Sequence, residues 1–219
     1  MSLPDGTRHV VWDWNGTLLD DVELCRSTLN TLLERRGLPP VSAEFHAEGF
    51  GFPLQPYYES VGFDFAQESF SEVSRQFTEL YEEGRHECPL RIGAREIITA
   101  LNERGVGQSV LSAYNQHLLR NILNERDLAP HFSHITGTDN LNAEGKVARG
   151  LAWLEESGLP ADEVLLIGDT LHDVEVARAL GVKVLLVESG HQSRPRLESA
   201  GCPVLPGLAY LLNGVHLPG

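Results

Sequence analysis

Three aspartates stand where buried strands are predicted to end. Asp13 ends the apolar run "HVVWD" (9–13), Asp169 ends "EVLLIGD" (163–169), and Asp173 follows about one helical turn later. Because the carboxyl ends of parallel strands meet at one edge of a sheet, these carboxylates would converge. Converging carboxylates repel one another unless a cation neutralises them, and an oxygen-only set without His or Cys favours Mg²⁺. The sequence therefore predicts a magnesium site.

Two further side chains extend this cluster toward anion binding. Ser112 lies near the end of the run "QSVLSA" (108–113), and Lys146 lies at the start of the helical pattern that leads to Asp169. Lys146 is one of only two lysines in the chain, and either residue alone would be read as a helix cap or a solvated surface group. Together with the aspartates, they indicate an anion site that faces a cation site.

The elements that must position these residues alternate along the chain. Further apolar runs at 131–136 and 182–188 read as strands, and the runs at 163 and 182 are continuously apolar, as in parallel strands covered on both faces. Helical patterns lie between the runs, at 93–104, 115–126, 145–157 and 171–180. Alternating strands and helices predict an α/β fold with a doubly wound, Rossmann-like parallel sheet.

One connection is too long for a simple crossover. Residues 20–88 contain helical patterns that end at Gly37 and Gly84, with prolines between them and no convincing strand. We expect residues 1–19 and 89–219 to form the α/β core domain and residues 20–88 to form an inserted α-helical cap above the first strand.

Charge and composition limit the partners and the compartment. The formal net charge is −14 and the 15 arginines are scattered, so nucleic acid and anionic membranes are poor partners. No signal segment is evident, and no apolar run approaches the ~20 residues of a membrane helix. Three cysteines without a disulfide or zinc pattern favour the cytoplasm. No pattern indicates an oligomeric state.

Four short motifs together resemble the haloacid dehalogenase superfamily, most closely its phosphoglycolate-phosphatase-like members with a helical cap. "DWNGT" (13–17) resembles the first motif of that family, and "GDTLHD" (168–173) resembles the fourth. Ser112 in "VLSAYN" matches the second motif, and Lys146 in "EGKVARG" matches the third. The order, the spacing and the strand placement agree across essentially the whole chain.

The resemblance implies a Mg²⁺-dependent phosphatase acting on a small phosphorylated metabolite. Asp13 would attack the phosphoryl group to form an aspartyl-phosphate, which water hydrolyses. The implied metal ligands are the side chains of Asp13, Asp169 and Asp173 and the backbone carbonyl of Asn15. The implied phosphate-binding residues are Ser112, Lys146, Gly16 and Thr17, with Gly16 allowing a tight turn and Thr17 bonding locally to hold it.

Asn15 departs from the family pattern. The family's phosphatases usually carry Asp at this place as a general acid and base, and an amide transfers no proton near neutral pH. Losing such a group typically costs about 10²- to 10⁴-fold in rate. His172 lies beside the implied metal ligands and is a possible substitute, because imidazole titrates near neutrality. The alternative is that His172 points away along its helix.

Other functions stay open to different degrees. Impaired catalysis at Asn15 would fit a phosphometabolite-binding or regulatory protein, and a sugar-phosphate mutase is a further alternative that depends on an acid–base residue at that position. A phosphonate hydrolase is excluded because it needs a cap lysine, and residues 1–145 contain none. A dehalogenase is disfavoured because it does not need the acidic pair of "GDTLHD".

The predicted cap supplies candidates for substrate selection. Phe50, Phe52, Tyr57 and Tyr58 could line its inner face, although packing within the cap is the simpler interpretation. Arg75 and Arg85 could reach a distal anion on the substrate, although a solvated helix face is the simpler interpretation.

Overall fold

The structure, a computed structural model, describes residues 3–138 and 145–212. The remaining parts of the predicted core domain, which include Glu144 of the "EGKVARG" motif, lie outside the described residues. The strands of the described residues are His9–Trp12 (β1), Gly107–Asn115 (β2), His134–Thr138 (β3), Val164–Gly168 (β4), Lys183–Val187 (β5) and Val204–Leu205 (β6). They are all parallel and form one sheet in the order β3-β2-β1-β4-β5-β6.

Ten α-helices are present in the described part of the chain. Their bounds are Val22–Glu34 (α1), Ala43–Gly49 (α2), Leu54–Ser60 (α3), Phe70–Gly84 (α4), Ala94–Glu103 (α5), Gln116–Glu125 (α6), Gly145–Ser157 (α7), Leu171–Leu180 (α8), Arg194–Glu198 (α9) and Ala209–Leu212 (α10). None of them is long and apolar enough to cross a membrane.

The sheet is covered on both faces, as the continuous apolar runs predict. Successive strand residues point to opposite faces, so Val10 and Ile167 pack in one apolar cluster while Val11 and Leu166 pack in another. The two clusters take in helices from both sides of the sheet, and all five residues of β4 are buried. The predicted doubly wound α/β fold is confirmed.

The strand order places a topological switch point at the centre of the sheet. β1 pairs with β2 on one side and with β4 on the other. From the centre, the chain runs outward through β1, β2 and β3 in one direction and through β4, β5 and β6 in the other. Ligands of open α/β sheets bind at such a point, beyond the carboxyl ends of the strands. Asp13 and Asp169 follow β1 and β4 directly, so both lie at this point.

Helices α1 to α4 form a helical cap with an apolar cluster of its own, which includes Leu32, Tyr58 and Val73. Where the chain enters and leaves this layer, its two segments bond to each other: the Asp20 amide donates to the Pro89 carbonyl at 2.9 Å. A short antiparallel bridge also joins Leu19 and Leu90. These bonds support the predicted division after residues 19 and 88, which remains a prediction.

The structure differs from the sequence prediction mainly at the ends of elements. The third strand begins at His134 rather than His131, because residues 129–131 form a 3₁₀ turn that contains Pro130. The second strand continues to Asn115, whose side chain then caps α6 by accepting from the His117 and Leu118 amides. The sequence did not predict β6, α9 and α10, because elements of two to five residues are too short to show a periodic pattern.

Candidate active site

Three buried carboxylates meet at the switch point. Asp13, Asp169 and Asp173 are 8%, 0% and 1% exposed, and an oxygen of each lies within 4.8 Å of the others. The Asp13 amide donates to the Ile167 carbonyl at 2.9 Å, which continues the pairing of β1 with β4 by one residue. The backbone of the sheet therefore fixes the first carboxylate.

The start of the helix that follows β4 fixes the carboxylate of Asp173. Thr170 caps α8, and its amide and hydroxyl donate to Asp173 Oδ2 at 3.0 and 2.8 Å. Two glycines make the close packing possible. A Cβ at Gly168 would lie 2.2 Å from Asp173 Cγ, and a Cβ at Gly190 would lie 2.1 Å from Asp169 Oδ2. Any side chain at these positions would displace a carboxylate.

Lys146 provides the positive charge of the cluster. Its ammonium donates to Asp13 Oδ1 at 2.6 Å and to Asp173 Oδ1 at 2.7 Å, and the side chain is buried. Asp169 accepts instead from the Thr17 hydroxyl at 2.9 Å and the His191 amide at 2.6 Å. Three carboxylates and one ammonium leave two negative charges, the number that a divalent cation would neutralise.

The pKa values reflect this imbalance. Burial raises the pKa of Asp13 above the usual carboxyl range; Lys146 opposes the rise, and Asp173 and Asp169 add to it. Burial and the charge of Asp173 likewise raise the pKa of Asp169. For Asp173, burial acts in the same direction, but Lys146 outweighs it and holds the pKa below its usual value. Ionising all three carboxylates is unfavourable without a further cation, so the oxygen-only donor set fits Mg²⁺.

Asn15 is bound to an acid that the sequence analysis did not single out. Its amide nitrogen donates to Asp21 Oδ2 at 2.7 Å and lies 2.9 Å from the Tyr81 hydroxyl. Asp21 is fully buried and also accepts from the Gly16 amide at 2.8 Å and from Tyr81 at 2.7 Å. A carboxylate at position 15 would face a buried carboxylate. This contact gives a physical reason for the amide.

The remaining residues of the predicted site separate into two groups. Ser112 is buried and lines the cavity, in the irregular part of β2 where its pairing with β3 shifts register. Gly16 has φ +75°, and a Cβ there would lie 2.3 Å from Asp169 Oδ2. The Thr17 hydroxyl bonds Asp169, so both residues hold the turn against the carboxylates rather than lining the cavity.

His172 lies outside the cavity lining. Its Nδ1 lies 3.0 Å from Glu175 Oε2, and its ring centroid lies 5.2 Å from that of Phe52. The structure brings a different histidine to the cluster: His191 lines the cavity, and its amide donates to Asp169. His191 lies in the short stretch "GHQS" (190–193), whose sequence has no periodicity that would have marked it as part of the site.

Above the carboxylates lies a cavity of about 150 Å³ between the cap and the core. Phe50, Phe52, Tyr57 and Tyr58 line it and also belong to the apolar cluster of the cap, so both interpretations of these aromatic residues hold. The two cap arginines that were candidates for a distal anion do not line it. Arg75 pairs with Glu72 and Glu79, and Arg85 pairs with Glu82 and Glu125.

The cap is fastened to the loop after β5. His46 Nε2 of the cap lies 3.1 Å from His191 Nδ1, and Phe50 stacks on His191 with ring centroids 4.4 Å apart. The side-chain amide of Gln192 donates to the Phe50 carbonyl at 2.8 Å, and the backbone amide of Ser193 donates to the Ala47 carbonyl at 3.2 Å. The residue that supports Asp169 is therefore also a residue that holds the cap.

A doubly wound sheet with clustered carboxylates at its switch point and a helical cap above them defines a class of capped α/β hydrolases. The pattern of the family described as haloacid dehalogenase-like hydrolase matches residues 10–187, and the chain belongs to this family. The resemblance predicted from the four motifs is confirmed.

Known proteins resemble the chain over nearly its whole length. A phosphoglycolate phosphatase of Pseudomonas fluorescens is 26% identical over 221 residues, which cover 96% of this chain and 80% of that protein. A haloacid dehalogenase-like hydrolase from Streptococcus pneumoniae shares the fold with a TM-score of 0.82 at 17% identity, covering 96% and 99% of the two chains. CbbY from Rhodobacter sphaeroides, solved in complex with phosphate, has a TM-score of 0.72 at 18% identity, covering 96% and 100%.

Proposed function

We propose that the protein is a Mg²⁺-dependent phosphatase that hydrolyses a small phosphorylated metabolite through an aspartyl-phosphate. The observation that supports this proposal is the buried set of Asp13, Asp169 and Asp173 with Lys146, which has an excess of two negative charges and lines the cavity. The names of the similar proteins support the same activity. The three free cysteines support a reducing compartment, and we assign the protein to the cytoplasm.

The residues that would hold Mg²⁺ are the carboxylates of Asp13, Asp169 and Asp173, directly or through water, and the backbone carbonyl of Asn15. Bound there, the cation would offset the charge of the phosphoryl group so that an anionic nucleophile can approach it. Ser112 and Lys146 would bind phosphoryl oxygens, Lys146 as a point charge already held between Asp13 and Asp173.

The covalent steps follow from the position of Asp13. A carboxylate oxygen of Asp13 forms a bond to phosphorus, and the ester P–O bond breaks with its electron pair leaving on the alcohol oxygen. Water then attacks phosphorus, the P–O bond to Asp13 breaks, and inorganic phosphate is released. The sheet holds Asp13, so its geometry changes little between the two steps.

Phosphate release from phenyl phosphate by metal-stripped protein tests this proposal. We expect release only after Mg²⁺ is added, and not after an equal concentration of Ca²⁺, whose larger and more loosely ordered shell fits a compact site poorly. If no phosphate ester in a panel of aryl, acyl and alkyl phosphates is turned over with Mg²⁺, the phosphometabolite-binding alternative stands instead. Asn15 is the feature that favours this alternative. Asn15 also disfavours a sugar-phosphate mutase, because a mutase depends on an acid–base residue at that position.

Exchanging the amide and the acid of the Asn15–Asp21 pair tests whether proton transfer limits turnover. Asn15→Asp alone places a half-buried carboxylate against the buried carboxylate of Asp21, so we expect a loss of about 1–3 kcal/mol in stability. Asn15→Asp combined with Asp21→Asn restores one amide and one acid and retains their hydrogen bond with its direction reversed. The double variant should hydrolyse ethyl phosphate about tenfold faster or more, because a positioned acid then protonates the poor leaving group.

Phenyl phosphate provides the internal control for the exchange. Phenoxide leaves without a proton, so its hydrolysis should change much less than that of ethyl phosphate. Thermal unfolding measured on both variants separates a folding defect from a catalytic effect. A stable double variant with no gain on ethyl phosphate would show that acid–base assistance at position 15 is not the limiting factor.

A further inference from the structure

The cavity above the carboxylates contains one cation. All 15 arginines and both lysines of the chain lie in the described residues, and among the residues that line the cavity Lys146 is the single lysine or arginine. Lys146 is already bound to Asp13 and Asp173 beside the phosphate position. A second anionic group on a substrate would therefore find no free side-chain cation inside the described cavity.

Three arginines of the cap and Arg196 of α9 are held by other groups. Arg26 donates to Glu23 and to the Val41 carbonyl, and Arg196 donates to the Phe50 carbonyl at 2.5 Å. Arg75 and Arg85 each bond two glutamates. Turning any of them into the cavity would leave a glutamate or a backbone carbonyl without its partner.

The two cavity histidines are bound to each other and to the cap. His46 Nε2 and His191 Nδ1 share one hydrogen bond at 3.1 Å, so one of these nitrogens carries no hydrogen and at most one of the two rings can be charged. His46 Nδ1 is occupied by the Tyr57 hydroxyl at 2.9 Å. Burial lowers the pKa of His46 to about 3, in agreement with a neutral ring at this contact.

The walls of the cavity are aromatic. Seven Phe and Tyr side chains line its described surface, and Phe50 and Tyr57 meet edge to face with centroids 5.6 Å apart. Tyr81 and Tyr114 meet in the same way at 5.8 Å, and Tyr81 contacts Asn15. Aromatic faces carry partial negative charge, so they repel a carboxylate and pack well against another ring.

From these observations we infer that the organic group of the substrate is uncharged and aromatic, so that monophosphate esters of aromatic alcohols are preferred over phosphoglycolate. This inference rests on the proposed function and selects the substrate class for the same site. It separates this chain from the named activity of the relatives, because glycolate carries a carboxylate for which the described cavity has no free lysine or arginine.

Benzyl phosphate and phosphoglycolate test the inference because both are phosphate esters of primary alcohols. They differ mainly in the group attached to the ester carbon, which is a phenyl ring in benzyl phosphate and a carboxylate in phosphoglycolate. With Mg²⁺ present, we expect kcat/KM for benzyl phosphate to exceed that for phosphoglycolate by about tenfold or more, with ethyl phosphate between them. A higher kcat/KM for phosphoglycolate would overturn the inference while leaving the phosphatase function intact.

A cation introduced at the cavity wall tests the cause. Thr78 lines the cavity and is partly exposed, so its replacement does not disturb the buried cluster of the cap. Thr78→Arg should raise kcat/KM for phosphoglycolate relative to benzyl phosphate by about tenfold, and Thr78→Met, of similar length without the charge, should not. An equal change in both variants would show that charge is not what excludes phosphoglycolate.

Binding to non-hydrolysable analogues separates the inference from catalysis. Phenethylphosphonate and phosphonopropionate replace the ester oxygen of the two substrates by a methylene group, and calorimetry with Mg²⁺ measures their affinities without turnover. We expect phenethylphosphonate to bind about tenfold more tightly or better. If no ester is hydrolysed but this order of affinities holds, the phosphatase proposal fails and the inference about the ligand survives. The reverse order contradicts it.

Discussion

Asp13→Asn is expected to reduce phosphate release by about 10⁴-fold or more, because it replaces the anionic carboxylate that is the nucleophile of the proposed mechanism. The fold should persist, since Asn has the same shape and the Asp13 amide keeps its bond to the Ile167 carbonyl. Lys146 retains Asp173 at 2.7 Å as a partner, so no buried ammonium is left unpaired. Steady-state phosphate release with Mg²⁺ and thermal unfolding of the same preparation measure the two effects.

Asp162→Asn is the matched control for this variant. Asp162 is exposed at the start of the chain segment that leads into β4, so the same chemical change there should leave turnover within about twofold of the wild type. Residual activity of Asp13→Asn above about 1% of the wild-type rate would argue against Asp13 as the nucleophile.

Asp169→Asn is expected to weaken Mg²⁺ binding by about 100-fold or more and to abolish most of the activity, because one charged ligand of the proposed Mg²⁺ site is lost. The surroundings of the side chain can accommodate the amide. The His191 amide only donates and keeps the remaining oxygen as its acceptor, and the Thr17 hydroxyl can accept from the new NH₂ group. The expected loss of affinity therefore reports the lost charge rather than a disrupted site.

Two titrations test this expectation. Calorimetry gives the Mg²⁺ affinity without substrate, and phosphate release against Mg²⁺ concentration gives the activating concentration. The dissociation constant for Mg²⁺ and the Mg²⁺ concentration that gives half-maximal activity should rise by similar factors. An unchanged calorimetric affinity would remove Asp169 from the ligand set, even if activity were lost.

The sequence was sufficient for the parts of the site that follow local rules. Asp13, Asp169 and Lys146 each border a run of strongly patterned residues, and the C-terminal edge of a parallel sheet brings such positions together whatever the loop details. For the same reason the doubly wound fold and the helical cap could be predicted. The ends of elements were less accurate, because Pro130 and the cap residue Asn115 act on only one or two positions.

The partners of these residues could not be predicted in the same way. Asp21 approaches Asn15 through a turn whose geometry depends on Gly16, and the buried Tyr81 that completes the contact lies 60 residues further along the chain. His46 and His191 are separated by 145 residues and meet only because the cap folds back on the core. No periodicity or motif encodes such a contact in a single sequence. The sequence showed that Asn15 was unusual, and the three-dimensional contact supplied the reason.

The shared position of His191 has a thermodynamic consequence. Its amide supports Asp169 on one side, and its ring bonds the cap at His46 on the other, so one short loop holds both the carboxylate and a contact of the cap. Linkage is reciprocal: by whatever factor these cap contacts favour the Mg²⁺ proposed at Asp169, bound Mg²⁺ favours the cap contacts by the same factor.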